Sequence, residues 1–174
     1  MTASVPFVLD SDVMIAAKNT YYAFDICPGF WSGILREHER GRVYSIDRVR
    51  SELLLGRPEE DLVQWVRKSV PKAFFRECIS EDVTAAYTEI MLWAQRHTRY
   101  LDEAKAKFAT GADGWLVACA KVRKAAVVTN ERPAPESKTI IKLPDVCERF
   151  KVPYRDTFSM LRELKTRFDL VAVR

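Results

Sequence analysis

Short apolar runs alternate along this chain with stretches of helical spacing. Val5-Pro6-Phe7-Val8-Leu9 is rich in β-branched and aromatic residues, ends at Asp10 and reads as a buried strand. A helix start follows over 13–18, and Pro28-Gly29 marks a turn. Trp31, Ile34, Leu35 and His38 share one face of a helix predicted over 31–40 and stopped by Gly41. A second strand is predicted over 42–46. Asp47 then opens a helix over 48–55, closed by Gly56-Arg57-Pro58. Further helices are predicted over 59–69 and 83–97, and a strongly apolar one over 114–124, preceded by Asp113. The run 125–129 is a third strand, the Pro-containing stretch 131–138 a loop, and 139–143 a candidate fourth strand. Helices over 145–150 and 156–168 close the chain, the latter with Asp156 as N-cap.

Strands alternating with helices predict one α/β domain over residues 1–174, built on a small, mostly parallel central sheet. At 174 residues the chain is long enough to bury a real core. Its 48% hydrophobic and 30% charged residues exclude disorder as the main state. The longest clean apolar run, 115–120, is far short of a membrane span of ~20 residues. The N-terminus lacks a basic region and is interrupted by Asp10 and Asp12, so it does not read as a signal peptide. A net charge of +4 permits an anionic partner without demanding one. Cys27, Cys78, Cys119 and Cys147 form no CxxC and only two histidines exist, which argues against zinc. The thiols read as reduced core residues of a cytoplasmic protein.

In open parallel sheets, ligands bind beyond the carboxyl ends of the strands. Asp10 stands there after the first strand, followed by Ser11 and Asp12, and Glu131 follows the third after Asn130. Asp113 stands at the start of the most apolar helix, and Glu52 leans toward the apolar face of the helix after the second strand. Each acid also has an ordinary structural reading: Asp10 a turn residue, Asp113 an N-cap, Glu52 a solvated helix position, Glu131 surface. Together they form a carboxylate cluster with no positive partner close by in sequence, unfavourable unless protons or a cation neutralise it. Oxygen ligands without Cys or His select Mg²⁺ or Mn²⁺, and the chemistry suggested is metal-assisted phosphodiester hydrolysis.

The residues around these acids carry a family resemblance. Phe7-Val8-Leu9-Asp10-Ser11-Asp12-Val13-Met14-Ile15 resembles the opening motif of the PIN-domain superfamily. The segment over 44–53, with Glu52, resembles the second acidic motif, and the segment over 112–120, with Asp113, the third. Val127-Val128-Thr129-Asn130-Glu131 resembles the fourth, with Glu131 where many members carry Asp. Ile141-Lys142-Leu143-Pro144-Asp145-Val146-Cys147 and the stretch over 158–164 are similar to a PIN-like bacterial family related to toxin ribonucleases of the VapC type, in which Glu is usual at the fourth position. The resemblance runs from Phe7 to about Phe168. It implies a three-layer α/β/α fold and an Mg²⁺- or Mn²⁺-dependent endoribonuclease, with Asp10, Glu52, Asp113 and Glu131 as catalytic metal ligands. It also implies the toxin of a bacterial toxin–antitoxin pair, acting on RNA and held by a cognate antitoxin protein, with a homodimer allowed by aromatic helices near the first motif.

Two rivals remain at this level. Leu9-Asp10-Ser11-Asp12-Val13 also fits a haloacid-dehalogenase-type phosphatase, with Asp10 as nucleophile and Asp12 as acid/base, although a following acid pair is missing. The other is a PIN scaffold that binds RNA or protein without cutting. A DNA-cutting variant would ordinarily need a longer chain.

Among the basic residues near the motifs, Arg132 and Arg48 are the candidates for holding substrate. Lys121, Arg123 and Lys124 suit the last turn of a helix. Tyr21, Tyr22, Phe24, Phe30 and Trp31 read chiefly as packing residues, with base stacking as the functional alternative. Ser11 and Thr129 are candidate hydrogen-bond partners of the acids, Asp12 a fifth, outer acid. No general base is evident among the side chains, and a water activated by the metal removes the need for one.

Overall fold

The computed structural model describes residues 5–169. The strands are apolar throughout, with no polar alternation in β1 (Phe7–Leu9) and β4 (Ala126–Val128), as expected where both faces of a parallel sheet are covered. In chain order the elements are β1; α1 (Ser11–Ala16), continued by a π-helical turn at Ala17–Tyr21; α2 (Pro28–Glu39); β2 (Val43–Ile46); α3 (Asp47–Leu53); α4 (Asp61–Lys68); and a 3₁₀ turn running into β3 (Phe75–Arg76). There follow α5 (Glu81–Arg96), α6 (Asp102–Thr110), α7 (Asp113–Arg123), β4, α8 (Leu143–Arg149), β5 (Tyr154–Arg155) and α9 (Thr157–Glu163).

All strand pairs are parallel, in the order β3-β2-β1-β4-β5. Helices flank the sheet in a three-layer α/β/α arrangement. From β1 the chain winds outward through β2 to β3, then returns to lay β4 on the other side of β1. The reversal makes the gap between the carboxyl ends of β1 and β4 the topological switch point, the place where open α/β sheets bind ligands. Register fixes that gap: Leu9 pairs with Val128, so Asp10 and Thr129 leave the sheet side by side. The Asp10 N–H donates to the Val128 carbonyl at 3.0 Å.

The structure differs from the sequence reading at several places. Residues 139–142 are not a strand; they lead into α8, whose Pro144 occupies the first turn, where a missing N–H costs nothing. β3 and β5 are two residues each, too short to give an alternating signal. α6 lies where no element is predicted, and the last helix ends at Glu163. Cys78 and Cys119 are joined as a disulfide with their Cα atoms 6.1 Å apart. The crossover from β3 to β4 brings α7 back to the end of β3, so residues 41 apart meet. Cys27 and Cys147 are free, and cysteine usage therefore no longer argues for a reducing compartment. Among the described residues, no helix is long and apolar enough to cross a membrane.

The aromatics after the first motif pack largely as expected. Tyr22 stacks on Phe30 with ring centroids 4.4 Å apart, and Phe24 on Trp31 at 3.9 Å. Trp31 meets Trp65 edge to face. Tyr21 is the exception and stays 64% exposed.

One buried polar contact ties β2 to the end of β1: Ser45 Oγ donates to the Leu9 carbonyl at 2.6 Å. Ser45→Ala is expected to lower unfolding stability by about 1 kcal/mol. Urea unfolding of variant and parent checks this; unchanged stability would show that the contact contributes nothing net.

Candidate functional site

Asp10 caps the N-terminus of α1, and 5% of its surface is exposed. Its Oδ1 accepts from the Ser11 N–H at 2.7 Å and its Oδ2 from Thr129 Oγ1 at 3.1 Å. The same Thr129 hydroxyl lies 3.3 Å from Asp12 Oδ2, which also accepts the Asn130 N–H at 2.8 Å. A hydroxyl carries one proton, so Thr129 serves one of the two carboxylates at a time. Asp12 Oδ1 is buried and has no hydrogen-bond partner.

Glu52 reaches in from α3. Its Oε2 accepts from Ser11 Oγ at 3.0 Å and its Oε1 from the Ala112 N–H at 3.0 Å. It thereby holds the entrance to α7, whose first residue is Asp113. Gly114 lets α5 come close to that turn: a Cβ there would fall 2.5 Å from Met91 Cε. Glu131 stands at the far side. Its Oε1 pairs with Lys142 Nζ at 3.0 Å, and its Oε2 accepts the Leu143 N–H at 2.8 Å at the start of α8.

The four sequence-predicted acids therefore meet in one neighbourhood, joined by Asp12. The electrostatics record the crowding. Burial, then the charges of Asp12 and Asp113, push the Asp10 carboxyl well above its ordinary range. Burial also raises Asp12, against the hydrogen bonds from Asn130 and Thr129. Asp113 is pushed up to about 7, by burial first and then by Glu131, Glu52 and Asp12, with Lys142 opposing. Burial and then Asp113 and Asp10 raise the Cys147 thiol, which keeps it a protonated, inert neighbour.

Among the described residues, no three Asp, Glu, His or Cys side chains stand together as a ready ligand set. The hydrogen bonds supply a physical reason: both oxygens of Glu52 and of Glu131 are engaged by donors of the chain itself. The residues still suit a hard divalent ion in kind. They are all-oxygen, they repel one another, and a buried carboxylate oxygen of Asp12 lacks a partner.

Of the two predicted substrate arginines, Arg132 is exposed beside Glu131 and makes no hydrogen bond or ion pair among the described residues. Arg48 is half-buried, its guanidinium 4.1 Å from the centre of the Trp115 ring, which in turn stacks on Tyr87 at 3.8 Å. Lys121 pairs with Glu89, and Arg123 reaches the Glu77 carbonyl, so both serve the fold. Sequence reasoning missed Lys142 as the cation of the site. It lies 11 residues past Glu131, and the only signal was its place in the Ile141–Cys147 motif.

Two recesses flank the acids. One, about 400 Å³, is lined by Glu52, Asp113 and Glu131 together with Lys107 and Lys142. The other, about 490 Å³, runs from Thr129, Asn130 and Glu131 toward Tyr21 and Phe158. Glu131 lines both.

Residues 7–168 match the family model described as Domain of unknown function (DUF4411). None of the curated proteins matches the chain.

The Asp113 carboxyl ionises near 3.8 in an unfolded chain and at about 7 in the folded one. Between those values the folded state holds the extra proton, so this group's contribution falls as pH rises from about 4 through 7. The penalty is on the order of a few kcal/mol. It exceeds the ~0.3–1 kcal/mol that a negative charge gains at a helix N-terminus. Asp113→Asn is therefore expected to raise the melting temperature of metal-free protein at pH 8, by about 2–4 °C per kcal/mol relieved, and to lose the advantage at pH 4. Thermal melts of both proteins in EDTA across that range decide it; a variant no more stable than its parent at pH 8 contradicts the crowding.

Proposed function

The chain belongs to the DUF4411 family, and from that premise we propose that it is a divalent-metal-dependent endoribonuclease with a PIN-like site. The observation that carries this reading is the convergence of Asp10, Asp12, Glu52, Asp113 and Glu131 at the switch point, from four separate parts of the chain. A structural role for such a cluster is hard to sustain, because burial and mutual repulsion both oppose it. A phosphatase of the haloacid-dehalogenase type would use Asp10 and Asp12 but gives no reason for Glu52 and Asp113 to be drawn in.

In this reading Asp10 and Asp113 are the direct ligands of one or two Mg²⁺ or Mn²⁺ ions, with Glu52 and Glu131 acting directly or through water. When bound, the metal polarises the phosphodiester and favours deprotonation of the attacking water. The reaction is hydrolysis: a backbone P–O bond breaks, water's hydroxyl goes to phosphorus, and its proton goes to the leaving oxygen. The chain's own residues prepare that step. Thr129 and the Ser11 N–H fix the Asp10 rotamer, the Asn130 N–H fixes Asp12, and Ser11 Oγ joins Glu52 to the group. Lys142 neutralises Glu131. Were Glu131 to serve a bound cation instead, Lys142 would be left to hold a phosphate of the substrate. Arg132, exposed on the rim, offers a second cation for the RNA backbone.

The biological role that goes with this activity is that of a cytoplasmic toxin whose cognate antitoxin covers the site. The resemblance of the motifs to toxin ribonucleases supports that role.

Purified protein is expected to cut a mixed RNA pool with Mn²⁺ or Mg²⁺ and not in EDTA. Asp10→Asn is expected to reduce cutting at least 100-fold, with its circular dichroism unchanged. Residual cutting by Asp10→Asn at the wild-type rate would overturn the assignment.

A further inference from the structure

We propose that the 490 Å³ recess beside Glu131 is a stacking subsite for one unpaired nucleobase of a single-stranded RNA, with Tyr21 as its platform. The inference rests on the ribonuclease reading for its substrate class, and it adds the position and the strandedness.

The argument starts from helix α1. Its first turn carries Asp10 and Asp12, and Val13, Ala16 and Ala17 form the wall of the recess along one face. The helix then widens into a π turn over Ala17–Tyr21. Such turns are rare and occur chiefly at functional sites, because the extra residue costs helical hydrogen-bond geometry. Here the widened turn delivers Tyr21 to the mouth of the recess. Every other large aromatic of this segment is used in packing, whereas Tyr21 remains 64% exposed. Phe158, 43% exposed, meets it edge to face at 5.8 Å from the opposite wall. Tyr21 and Phe158 touch each other and Tyr22 only edgewise or at a tilt, which leaves much of both rings exposed, and bases stack on exposed ring faces whatever their sequence.

Charge selects the same ligand. Arg132 and Arg155 line the recess together with two acids, Glu131 and Asp156; Glu131 is paired with Lys142, and Arg132 has no hydrogen bond or ion pair among the described residues. Arg155 is tied to Glu163 and to the Tyr154 carbonyl, whereas Arg132 interacts only through space, its charge helping to lower the Asp156 carboxyl. A cation and an exposed ring lining one recess that Glu131 shares with the carboxylate cluster match a polyanion with planar side groups. The recess adjoins the acids through Thr129, Asn130 and Glu131, so a strand whose base is held there would run on toward the acids. Paired bases are stacked within their helix and cannot reach a ring in a recess, which makes the strand unpaired at this position.

The test uses full-length Asp113→Asn protein, expected to bind without cutting, in Mg²⁺ with a fluorescein-labelled single-stranded RNA octamer. Tyr21→Ala is expected to weaken binding about tenfold, and Tyr21→Phe to restore it. An octamer abasic at one position is expected to lose as much, with no further loss in Tyr21→Ala. Duplex RNA is expected to bind more weakly and to be insensitive to Tyr21. Melting curves confirm that each variant is folded. Tyr21→Ala binding within twofold of its parent, or an equal loss for duplex RNA, overturns the proposal. Cleavage by the wild-type protein is scored separately. Tyr21-dependent binding without any cleavage removes the hydrolytic reading and keeps this subsite; cleavage with no dependence on Tyr21 does the reverse.

Discussion

Mutual repulsion among buried carboxylates is the constraint that organises this molecule. Asp10, Asp12 and Asp113 each bear a raised pKa, with burial as the leading cause and neighbouring acids adding to it. Left free, such side chains would turn outward to water. Asp10 and Asp12 are held inward by the Ser11 and Asn130 N–H groups and the Thr129 hydroxyl, and Glu52 beside them by the Ser11 hydroxyl and the Ala112 N–H. Each contact is worth only about 1 kcal/mol, rising to about 1.5–3 when the acceptor is charged. The penalty they resist is of the same order. The remainder must come from the apolar framework to which those groups are attached.

That framework is the pair β1 and β4. Both are buried along their whole length, and their register places Leu9 against Val128. The two residues that follow, Asp10 and Thr129, then leave the sheet together, so the central hydrogen bond of the site is a consequence of strand pairing. α7 brings the next acid by a different route. Its residues Leu116 to Ala120 are fully buried, and Glu52 grips the N–H of Ala112 at its entrance. The helix cannot slide outward without exposing that apolar stretch, so Asp113 is anchored by burial three to seven residues away. Glu131 is attached more loosely, through a loop, and is the acid that finds a cation inside the chain.

The sequence carried the site better than the edges of the fold. Asp10, Glu52, Asp113 and Glu131 were legible because three of them follow strands or open helices whose apolar patterns are strong. β3 and β5 were not, since two residues give no alternation and their strandedness comes from pairing with β2 and β4. Thr139 to Leu143 looked like a strand because Ile140, Ile141 and Leu143 are apolar. The residue that argues otherwise is Pro144, which belongs to the first turn of α8. The Cys78–Cys119 disulfide was invisible for a different reason: pairing across 41 residues depends on where a crossover lands. Lys142 was missed because charge neutralisation was sought near each acid in sequence, whereas the loop folds back 11 residues to supply it.

The pairing of Lys142 with Glu131 bears on how a polyanion could approach a cluster of acids at all. A phosphate arriving at the acids alone is repelled by every one of them. One arriving beside Lys142 and Arg132 meets two cations on the side where Glu131 is already neutralised. The recess with Lys107 and Lys142 and the recess with Arg132 and Arg155 share Glu131 as their common wall. A strand crossing from one to the other would pass over the acids while its flanking phosphates stay near positive charge. Under the ribonuclease reading, the net charge of +4 then matters less than its distribution: five acids gathered at the switch point, with cations on both approaches. On that same reading a divalent ion would offset the charge that Lys142, paired with Glu131, leaves uncompensated on Asp10, Asp12 and Asp113.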